Sequence, residues 1–590
     1  MIFGRHINKY YIKYLWLFII GILSLLAVDY LQLKIPEFLG IITDGLAKDP
    51  DTGIIAMTKD DLAQKIFEIL GIVGLIFVTR FLWRVTLSAN GPRIEADLRS
   101  KMFAHSMTLS QDYYSKHKTG DIMAIYTNDL EIIKQSISRG TLMFFDTIFL
   151  GVLTAVKMFM LDFKMALFVV IPLIVLGGFG ILIGRIMQKR AAARQAAFAD
   201  LSDFTVENIT GLGVIKAFVK EQNEIIHFAK KNKDNYDKNM SFAKAAASIR
   251  VVINLFINFI LIGVFAYGAY LVFDQKTLTT GQLITFISLF GHLIWPIMGM
   301  SMFINMHAQA KASLQRVNGL LDYKPDLVDK EDVVEVEKLS GEIEVTNLSF
   351  KYPGLEENVI ENISFKIKAG ESVGILGKTG SGKTTLIDTL MRIYNVEDGM
   401  IKYDGIDINK IPLKVLRDNT AIVPQDNFLF YDTVYENIAF GTKREVTNHE
   451  VMEVAKLADL DSNIEEFQQG YETMIGERGS TISGGQKQRV SIARALIKEA
   501  PILILDDSVS AVDTDTEDKI IRNLKATRKG KTTILIAHRV STVRKLDRIL
   551  LIDEGKLIGF GTHEELLEHP LYSNLVRLQS LEEEIEGGGQ

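Results

Sequence analysis

Hydrophobic positions are unevenly distributed along the chain, and the pattern changes near residue 320. The first part contains six apolar stretches, each long enough to cross a bilayer as a helix that rises about 1.5 Å per residue. The last part mixes short apolar strands, helices and charges, as soluble proteins do. The pattern therefore predicts a helical membrane domain followed by a soluble domain. The predicted spans are Ile12–Ile35, Leu62–Leu87, Leu142–Leu161, Met165–Met187, Val251–Phe273 and Leu283–Met306.

The loops between the predicted spans differ in length and charge. Segments 92–139 and 189–250 carry roughly eighteen Lys and Arg, whereas the loops on the opposite side (36–61, 162–164, 274–282) carry about four. By the positive-inside tendency, the long loops and both termini face the cytoplasm. Because the long loops are rich in helix formers, the membrane helices are expected to continue into the cytoplasm.

Charged residues within the predicted spans are few. Most are expected to reach the membrane interface or to pair inside the helical bundle. The alternative places Asp29 or Asp146 on a substrate path through the membrane. The charges expected at lipid depth are Asp29, Arg80, Arg84, Asp146, Lys157 and Arg185.

The overall composition excludes several classes of function. A net charge of -6 is small for 590 residues and argues against a nucleic-acid partner. Because the chain contains no cysteine, disulfides, thiol catalysis and thiolate metal sites are excluded. The apolar run Ile12 to Leu33 is too long for the core of a signal peptide and is interpreted as a retained first helix.

A charged linker sets the predicted domain boundaries. We expect a membrane domain over residues 1–320, a linker over 321–340 and a soluble domain over 341–582. Residues 583–590 are rich in Glu and Gly and are typical of a solvated tail or an expression remnant. The first strands predicted in the soluble domain are Ile343 to Phe350, Ile363 to Ile367 and Ser372 to Leu376.

A phosphate-binding loop follows the third of these strands and precedes a predicted helix from Thr385 to Ile393. Its glycines allow backbone N–H groups to surround phosphate oxygens, and the helix adds the positive end of its dipole. Lys383 supplies a charge for the outer phosphates and Thr384 a hydroxyl for Mg2+. A glycine-rich turn without a ligand is the alternative. The predicted binding residues are Gly377, Lys378, Thr379, Gly380, Ser381, Gly382, Lys383, Thr384 and Thr385.

Two further segments carry chemistry. The apolar strand from Ile502 to Leu505 ends in Asp506 and Asp507, which places a carboxylate where Mg2+ can be held. Upstream, the run Ser483-Gly484-Gly485-Gln486 begins a helix and is chemically a second anion site. A chain with two anion-binding segments is explained if one of them completes a nucleotide site on another chain.

These three segments together resemble the ATP-binding-cassette motor. The order of membrane domain and motor resembles the half-size exporters of that superfamily. The resemblance implies an all-α transmembrane domain of six helices followed by an α/β P-loop nucleotide-binding domain. It also implies hydrolysis of ATP with Mg2+ as cofactor.

The resemblance assigns roles to individual residues, each of which alone could be an ordinary turn or core residue. Tyr352 is similar to the aromatic residue that stacks on adenine, and Asp513 to the loop that crosses a dimer. The resemblance implies three catalytic residues. They are Asp507, His538 as the switch histidine, and Gln425 as the residue that senses Mg2+ and water. The implied metal residues are Thr384, Gln425 and Asp506, and the residues facing a partner's ATP are Ser483, Gly484, Gly485 and Gln486.

Three membrane-side features resemble exporters in particular. Gly120 and Asp121 in the first long loop, and Asn208 and Ile209 in the second, match the tips where exporters place coupling helices. The segment Thr473 to Gly479 resembles the exporter-specific segment that touches those helices. The resemblance therefore implies outward transport.

One position departs from the family pattern. The residue after the Mg2+ aspartate is Asp507, where the family has the Glu that polarises water. Loss of one methylene moves the carboxylate by roughly 1 Å, which can cost on the order of 100-fold in rate. The pattern resembles the degenerate subunit of heterodimeric multidrug exporters of Gram-positive bacteria. The alternative is a homodimer in which Asp507 acts as the base through a shifted backbone or an extra water.

The expected function is an ATP-driven exporter subunit that moves small hydrophobic or amphipathic compounds out of the cytoplasm by alternating access. It is expected in the bacterial plasma membrane, in contact with the lipid bilayer, as a heterodimer with a second half-transporter. The alternatives are a lipid or peptide exporter and an ATP-gated regulator that transports nothing.

Overall fold

The computed structural model describes residues 4–47, 55, 57–476, 479, 481–508 and 512–587. The chain forms two compact units, which we describe separately. The first unit consists of Met1–Met107 and Thr119–Tyr323, and the second of Thr108–Lys118 and Lys324–Gln590. The second unit therefore includes a short piece of the first long loop in addition to the C-terminal part of the chain.

The first unit is helical throughout its described residues. Four of its helices have 43 to 53 residues, well above the roughly 20 needed to cross a bilayer, so they continue far beyond the predicted spans. Single π-helical turns occur at Ile125–Asp129 and Ser136–Gly140. The helices are α1 (Asn8–Lys13), α2 (Leu15–Gln32), α3 (Lys34–Leu46) and α4 (Lys59–Ser106), then, after α5 (Gln111–Lys116) of the second unit, α6 (Thr119–Ala124), α7 (Leu130–Gln135), α8 (Thr141–Leu161), α9 (Phe163–Thr210), α10 (Leu212–Ala217), α11 (Glu221–Phe273) and α12 (Thr280–Asp322).

The predicted membrane spans fall on these helices. Within the described residues, five helical stretches are long and apolar enough to cross a membrane, and α9 opens with a shorter apolar segment, Phe163–Leu176. Many large apolar side chains on them are exposed, as residues that face lipid acyl chains must be. The five stretches are Leu15–Leu46, Lys59–Ser106, Thr119–Leu161, Glu221–Phe273 and Thr280–Asp322.

Side-chain caps define where the long helices begin. The Thr58 and Asp61 side chains form a reciprocal capping box at α4, and Thr279 and Gln282 do the same at α12. The carboxylate of Asp162 accepts a hydrogen bond of 2.7 Å from the Met165 N–H, so one residue is enough to reverse the chain between α8 and α9.

The second unit contains two sheets. The smaller is antiparallel with strand order β2-β1-β4-β5, and the larger has the order β10-β9-β3-β8-β7-β6, in which only β10 is antiparallel to its neighbour. The strands are β1 (Ile343–Phe350), β2 (Ile360–Ile367), β3 (Ser372–Leu376), β4 (Ile401–Tyr403), β5 (Ile406–Asp407), β6 (Thr420–Val423), β7 (Ile502–Asp506), β8 (Thr532–Ile536), β9 (Arg548–Asp553) and β10 (Lys556–Gly561).

Helices cover the larger sheet and enclose its central strands. Every residue of β7 and β8 is buried, which explains why both strands are continuous apolar runs rather than alternating ones. Short 3-10 turns occur at Ile408–Lys410 and Gly470–Glu472. The helices are α13 (Lys383–Leu390), α14 (Leu413–Asn419), α15 (Val434–Ala439), α16 (Asn448–Leu457), α17 (Asp461–Glu466), α18 (Gly484–Leu496), α19 (Thr514–Thr527), α20 (Val540–Val543), α21 (His563–Leu566) and α22 (Pro570–Gly587).

The first prediction concerns the buried Thr532 hydroxyl at the start of β8, which connects three segments. It accepts a hydrogen bond from the Gly370 N–H at 3.0 Å and donates one to the Gly341 carbonyl at 2.7 Å. We expect Thr532→Val to destabilise this part of the sheet by about 2 kcal/mol, because two buried backbone groups lose their partner. Hydrogen–deuterium exchange of the β8 peptide measures the effect. Thr527→Val, which removes an exposed hydroxyl of α19, is the matched control and should change exchange little.

Candidate nucleotide-binding site

The phosphate loop connects β3 to α13 in the predicted strand–turn–helix arrangement. Gly380 and Gly382 have φ angles of +81° and +98°, in the left-handed region that favours glycine. Gly377 has no room for a side chain, since a Cβ there would lie 2.2 Å from the Ile552 carbonyl oxygen. The loop therefore requires its glycines for conformation at two positions and for close packing at a third.

Lys383 is the first residue of α13 and is almost completely buried. Its ammonium group donates hydrogen bonds of 2.8 Å to the carbonyl oxygens of Gly377 and Lys378. Burial lowers the pKa of this ammonium, and the nearby carboxylates of Asp506 and Asp507 oppose that effect. The loop thus holds a positive charge at its centre, where the outer phosphates of a nucleotide need a counter-charge.

Asp506 ends β7 and lies next to the phosphate loop. The Thr384 hydroxyl donates a hydrogen bond to its carboxylate, and burial raises the pKa of Asp506 to about 6. A carboxylate beside a hydroxyl suits Mg2+, which prefers hard oxygen ligands. No group of three or more His, Asp or Glu that could hold a metal occurs among the described residues. Thr384 and Asp506 would hold Mg2+ together with nucleotide oxygens, and the ion would neutralise phosphate charge.

Asp507 is fixed mainly through its backbone. Its φ angle is +45°, a left-handed conformation that Asp adopts more readily than most residues. The buried side chain of Gln488, on α18, donates a hydrogen bond of 3.1 Å to the Asp507 carbonyl. The Asp507 carboxylate lies 3.9 Å from Nε2 of His538. The structure thus brings two of the three predicted catalytic residues together.

The His538 loop is held by a residue that the sequence did not reveal. Gln579 of α22 donates a hydrogen bond of 2.9 Å to the His538 carbonyl and accepts one of 2.5 Å from the Val540 N–H. One amide side chain thus fixes the backbone on both sides of Arg539. Gln579 lies about 40 residues downstream in a polar helix, so no sequence pattern indicates its role.

Glu517 of α19 is a second residue that the motifs do not include. Its buried carboxylate accepts hydrogen bonds from the Thr542 hydroxyl and from Arg539. Burial raises the pKa of Glu517, and the Thr542 hydrogen bond opposes that effect. The sequence could have indicated that Glu517 is buried, because it lies on the same face of α19 as the buried Ile520 and Leu524.

Tyr352 packs its ring against the beginning of the phosphate-loop helix. Its hydroxyl lies 3.0 Å from the Thr385 Oγ1 and donates a hydrogen bond of 3.1 Å to Asp388. The rings of Phe350 and Tyr394 contact it edge-on, each with a centroid distance of 5.3 Å. Burial raises the pKa of Tyr352 to about 12. These contacts place an aromatic ring beside the loop, as the predicted adenine-binding role requires.

The Ser483–Gln486 segment forms the first turn of α18. The Ser483 hydroxyl accepts a hydrogen bond of 3.2 Å from the Gln486 N–H, and the Gln486 side chain accepts one of 2.9 Å from the Ser483 N–H. A Cβ at Gly484 would meet no atom of this chain within 4 Å. Packing in this chain therefore does not explain why position 484 is glycine.

The remaining predicted site residues lie at loop positions. Asp513 caps α19 by accepting a hydrogen bond of 2.9 Å from the Thr516 N–H, which lowers the pKa of Asp513. Gln425 is exposed two residues after β6. In the predicted exporter-specific segment, Glu477 and Arg478 lie outside the described residues.

The structure also places the predicted coupling residues. Along the chain, the short helix α5 separates α4 from α6, and Gly120 and Asp121 lie in the first turn of α6. Asn208 and Ile209 lie in the last turn of α9, directly before α10.

Comparison with known proteins agrees with this geometry. Residues 18–297 match the family described as "ABC transporter transmembrane region", and residues 360–510 match the family "ABC transporter". The probable multidrug resistance ABC transporter ATP-binding/permease protein YheI of Bacillus subtilis is 37% identical over 98% of both chains. The chain belongs to the ABC transporter family. The fold class predicted from the sequence is confirmed.

Further relatives of this ABC transporter differ in their described cargo. The multidrug resistance-like ATP-binding protein MdlA of Escherichia coli is 33% identical over 97% of this chain and 96% of MdlA. An ATP-dependent lipid A-core flippase of Syntrophus aciditrophicus is 35% identical over 85% of this chain and 83% of its own length. The solved structure of a bacterial Atm1-family ABC exporter with ATP bound matches with a TM-score of 0.76 at 25% identity, over 97% and 98% of the two chains. The exporter architecture and the binding of ATP therefore follow from the comparisons.

The second prediction tests the buried ammonium. We expect Lys383→Ala to weaken ATP binding at this chain's own site by roughly 10- to 100-fold, because a charge-assisted contact to the outer phosphates is lost. A fluorescent ATP analogue that resolves the two sites of the assembled transporter measures the affinity. Lys368→Ala removes an exposed lysine at the β2–β3 turn and serves as control. An unchanged affinity in Lys383→Ala would contradict the assigned role.

Proposed function

We propose that this chain is the degenerate-site half of a heterodimeric ABC exporter that moves hydrophobic or amphipathic compounds out of the cytoplasm of a bacterium. Asp507 carries the proposal, because it occupies the position of the family's water-polarising Glu with one methylene fewer. Its carbonyl is fixed by Gln488. This hydrogen bond opposes a shift of the main chain that would restore the reach of the shorter side chain.

Two features of the Ser483–Gln486 segment support a role for a second chain. The segment begins α18, where the positive end of the helix dipole favours an anion. Glycine at position 484 is not required by packing within this chain. A nucleotide bound to another chain, approaching this helix end closely, accounts for both features. In this proposal the chain completes a fast site on its partner and binds ATP at its own slow site with Lys383, Thr384 and Asp506.

The tip of the second hairpin supports coupling to a motor domain. Helix α10 has no buried residue, and Ile209 before it is 69% exposed. Apolar patches of this kind mark interaction surfaces. The second unit exposes an aromatic group of its own, formed by Phe428, Phe430 and Phe440. We propose that the α10 tip docks on such a group in the partner chain and transmits the ATP cycle to the membrane helices.

The cargo proposal is based on the relatives. YheI is described as a probable multidrug resistance ABC transporter and MdlA as a multidrug resistance-like protein, and both match nearly the whole chain. The lipid A-core flippases favour a lipid cargo as the second candidate function. ATPase activity of the purified transporter separates the candidates, because the cargo should stimulate it. We propose a location in the plasma membrane with both termini in the cytoplasm, consistent with the basic long loops.

The third prediction compares two variants of this chain in otherwise identical assembled complexes. Asp507→Asn should change steady-state ATPase activity less than twofold, because the slow site contributes little. Ser483→Ala should reduce it tenfold or more, because Ser483 faces the partner's nucleotide in the fast site. Gly484→Ala should act in the same direction while leaving this chain's own fold intact.

The reverse ranking would refute the asymmetric assignment. If Asp507→Asn abolishes hydrolysis while Ser483→Ala spares it, the chain is a homodimeric exporter with Asp507 as its working base. Mass spectrometry of the complex purified from native membranes provides an independent test, because it identifies whether a second half-transporter is present.

The fourth prediction tests the coupling tip. A photoreactive amino acid at position 209 should crosslink to a motor domain of the partner chain, because the tip is apolar and exposed. The same amino acid at position 198, about 16 Å back along α9 at 1.5 Å per residue, should not. Phe198 is also exposed and therefore a matched control. Proteolysis and mass spectrometry of the products locate the crosslink, and absence of any motor-domain product from position 209 would exclude this docking.

A further inference from the structure

Two carboxylic side chains lie inside the helical bundle of the first unit. Asp29 of α2 is 2% exposed, and its Oδ2 has no hydrogen-bond partner among the described residues. Helix α2 packs against α8, and the carboxyl group of Asp146 on α8 interacts electrostatically with that of Asp29. We call these two residues the carboxyl pair. A buried polar atom without a partner is costly, so its presence in the membrane span calls for an explanation.

One member of the carboxyl pair is oriented by a third helix. The indole Nε1 of Trp295, on α12, donates a hydrogen bond of 2.9 Å to Oδ2 of Asp146. This hydrogen bond fixes one Asp146 oxygen toward Trp295 and leaves the other for Asp29 or a ligand. Trp295 is 46% exposed and Asp146 is half-buried, so Asp146 is the member of the pair that can be reached from the surface of the bundle.

Positive charge near the carboxyl pair is insufficient to neutralise it. Arg80 of α4 is the cationic group that faces both carboxyls, and its guanidinium donates to the Gln32 side chain at 3.1 Å. Within the described residues, no ion pair of 4 Å or less joins Arg80 to either carboxyl. The nearest cation on α8, Lys157, pairs with Glu37 of α3. The cluster therefore contains two acids and one base.

This imbalance has a physical consequence. Two carboxyl groups in contact within a medium of low dielectric constant do not both ionise unless a cation compensates the second charge. Arg80 can compensate one charge. The other must be neutralised by a proton or by a monovalent cation, and these two compete for the same carboxyl oxygen.

Aromatic residues beside the carboxyl pair favour an organic cation. Phe145 precedes Asp146 on α8 and stacks with Phe149 at a centroid distance of 5.8 Å. Trp295 adds an aromatic ring from α12, hydrogen-bonded to Asp146. Aromatic rings attract cations, and they contribute more when water is excluded. A carboxylate with aromatic residues on the same helices is suited to an amphipathic cation rather than to a hydrated metal ion.

We propose that the carboxyl pair is a binding subsite for the cationic centre of amphipathic substrates, and that it carries one proton when no substrate is bound. Substrate binding displaces this proton, so each cation that binds releases one proton and the net charge of the cluster is unchanged. Trp295 acts as a positioning residue that orients the Asp146 carboxylate. This inference rests on the proposed export of amphipathic compounds and specifies how a charged member of that class is recognised.

The test uses the assembled exporter in lipid nanodiscs with two probes of similar shape. Tetraphenylphosphonium is a permanent cation without a titratable group, and triphenylphosphine oxide is neutral. Isothermal titration calorimetry in two buffers of different ionisation enthalpy gives the number of protons released by the unmodified protein. We expect one proton released for the cation and none for the neutral probe. Affinity for the cation should rise with pH, because the proton competes with it.

Variants of the carboxyl pair complete the test. Asp29→Asn and Asp146→Asn should each weaken tetraphenylphosphonium binding by about tenfold or more and abolish proton release, while neutral-probe affinity stays within about twofold. Trp295→Phe keeps an aromatic ring but removes the N–H donor, and should weaken cation binding without abolishing proton release. Asp274→Asn, an exposed acid after α11, is the matched control and should leave both probes unaffected.

The outcomes separate this inference from the proposed function. If neither probe binds or stimulates ATPase activity in the unmodified protein, the proposed cargo class is wrong. If both probes bind but the cation releases no proton and tolerates the Asn variants, the cargo class stands and the subsite is refuted. Equal losses for both probes in the Asn variants would show that the carboxyl pair serves only the packing of the bundle. The calorimetry on unmodified protein remains decisive even if a variant fails to fold.

Discussion

The nucleotide site depends on the register of the parallel strands in the larger sheet. Asp506 of β7 pairs directly with Ile536 of β8, and Ile536 pairs with Ile375 of β3. Because the carboxyl ends of parallel strands lie at the same edge of a sheet, this register brings the phosphate loop, Asp506 with Asp507, and His538 to one place. Loop residues supply the chemistry, but buried apolar strands determine the distances between them. A slip of one residue would turn Asp506 to the opposite face of the sheet.

The membrane unit follows a different constraint, because its backbone groups must be satisfied without water. Long helices with intrahelical hydrogen bonds meet this requirement, and the six apolar stretches in the sequence were sufficient to locate them. Their ends were less predictable. The first predicted span began at Ile12, whereas the structure ends α1 at Lys13 and begins α2 at Leu15. Ile12 is separated from the apolar run of α2 by Lys13 and Tyr14, and hydropathy averaged over a long window does not resolve so short an interruption.

Motifs identified the nucleotide site because their chemistry is concentrated in short segments. β1 and β3 have the predicted bounds, and the phosphate loop joins β3 to α13 as expected. Supporting residues were missed because their contacts are distant in sequence. Gln579 reaches the His538 loop across about 40 residues, and only the folded chain shows this contact. Glu517 was detectable in principle, since a charge in an apolar helical stripe needs a buried partner.

The hydrogen bond between Gln488 and the Asp507 carbonyl has an evolutionary consequence. It holds the main chain through the carbonyl, so this hydrogen bond itself does not depend on which acid occupies the position. Asp and Glu codons differ only in their third base. Under the proposed asymmetric assignment, a duplicated gene could therefore lose or regain the longer acid by a single point mutation that leaves this hydrogen bond in place. The division of labour proposed for two such subunits would then be reversible by one base change.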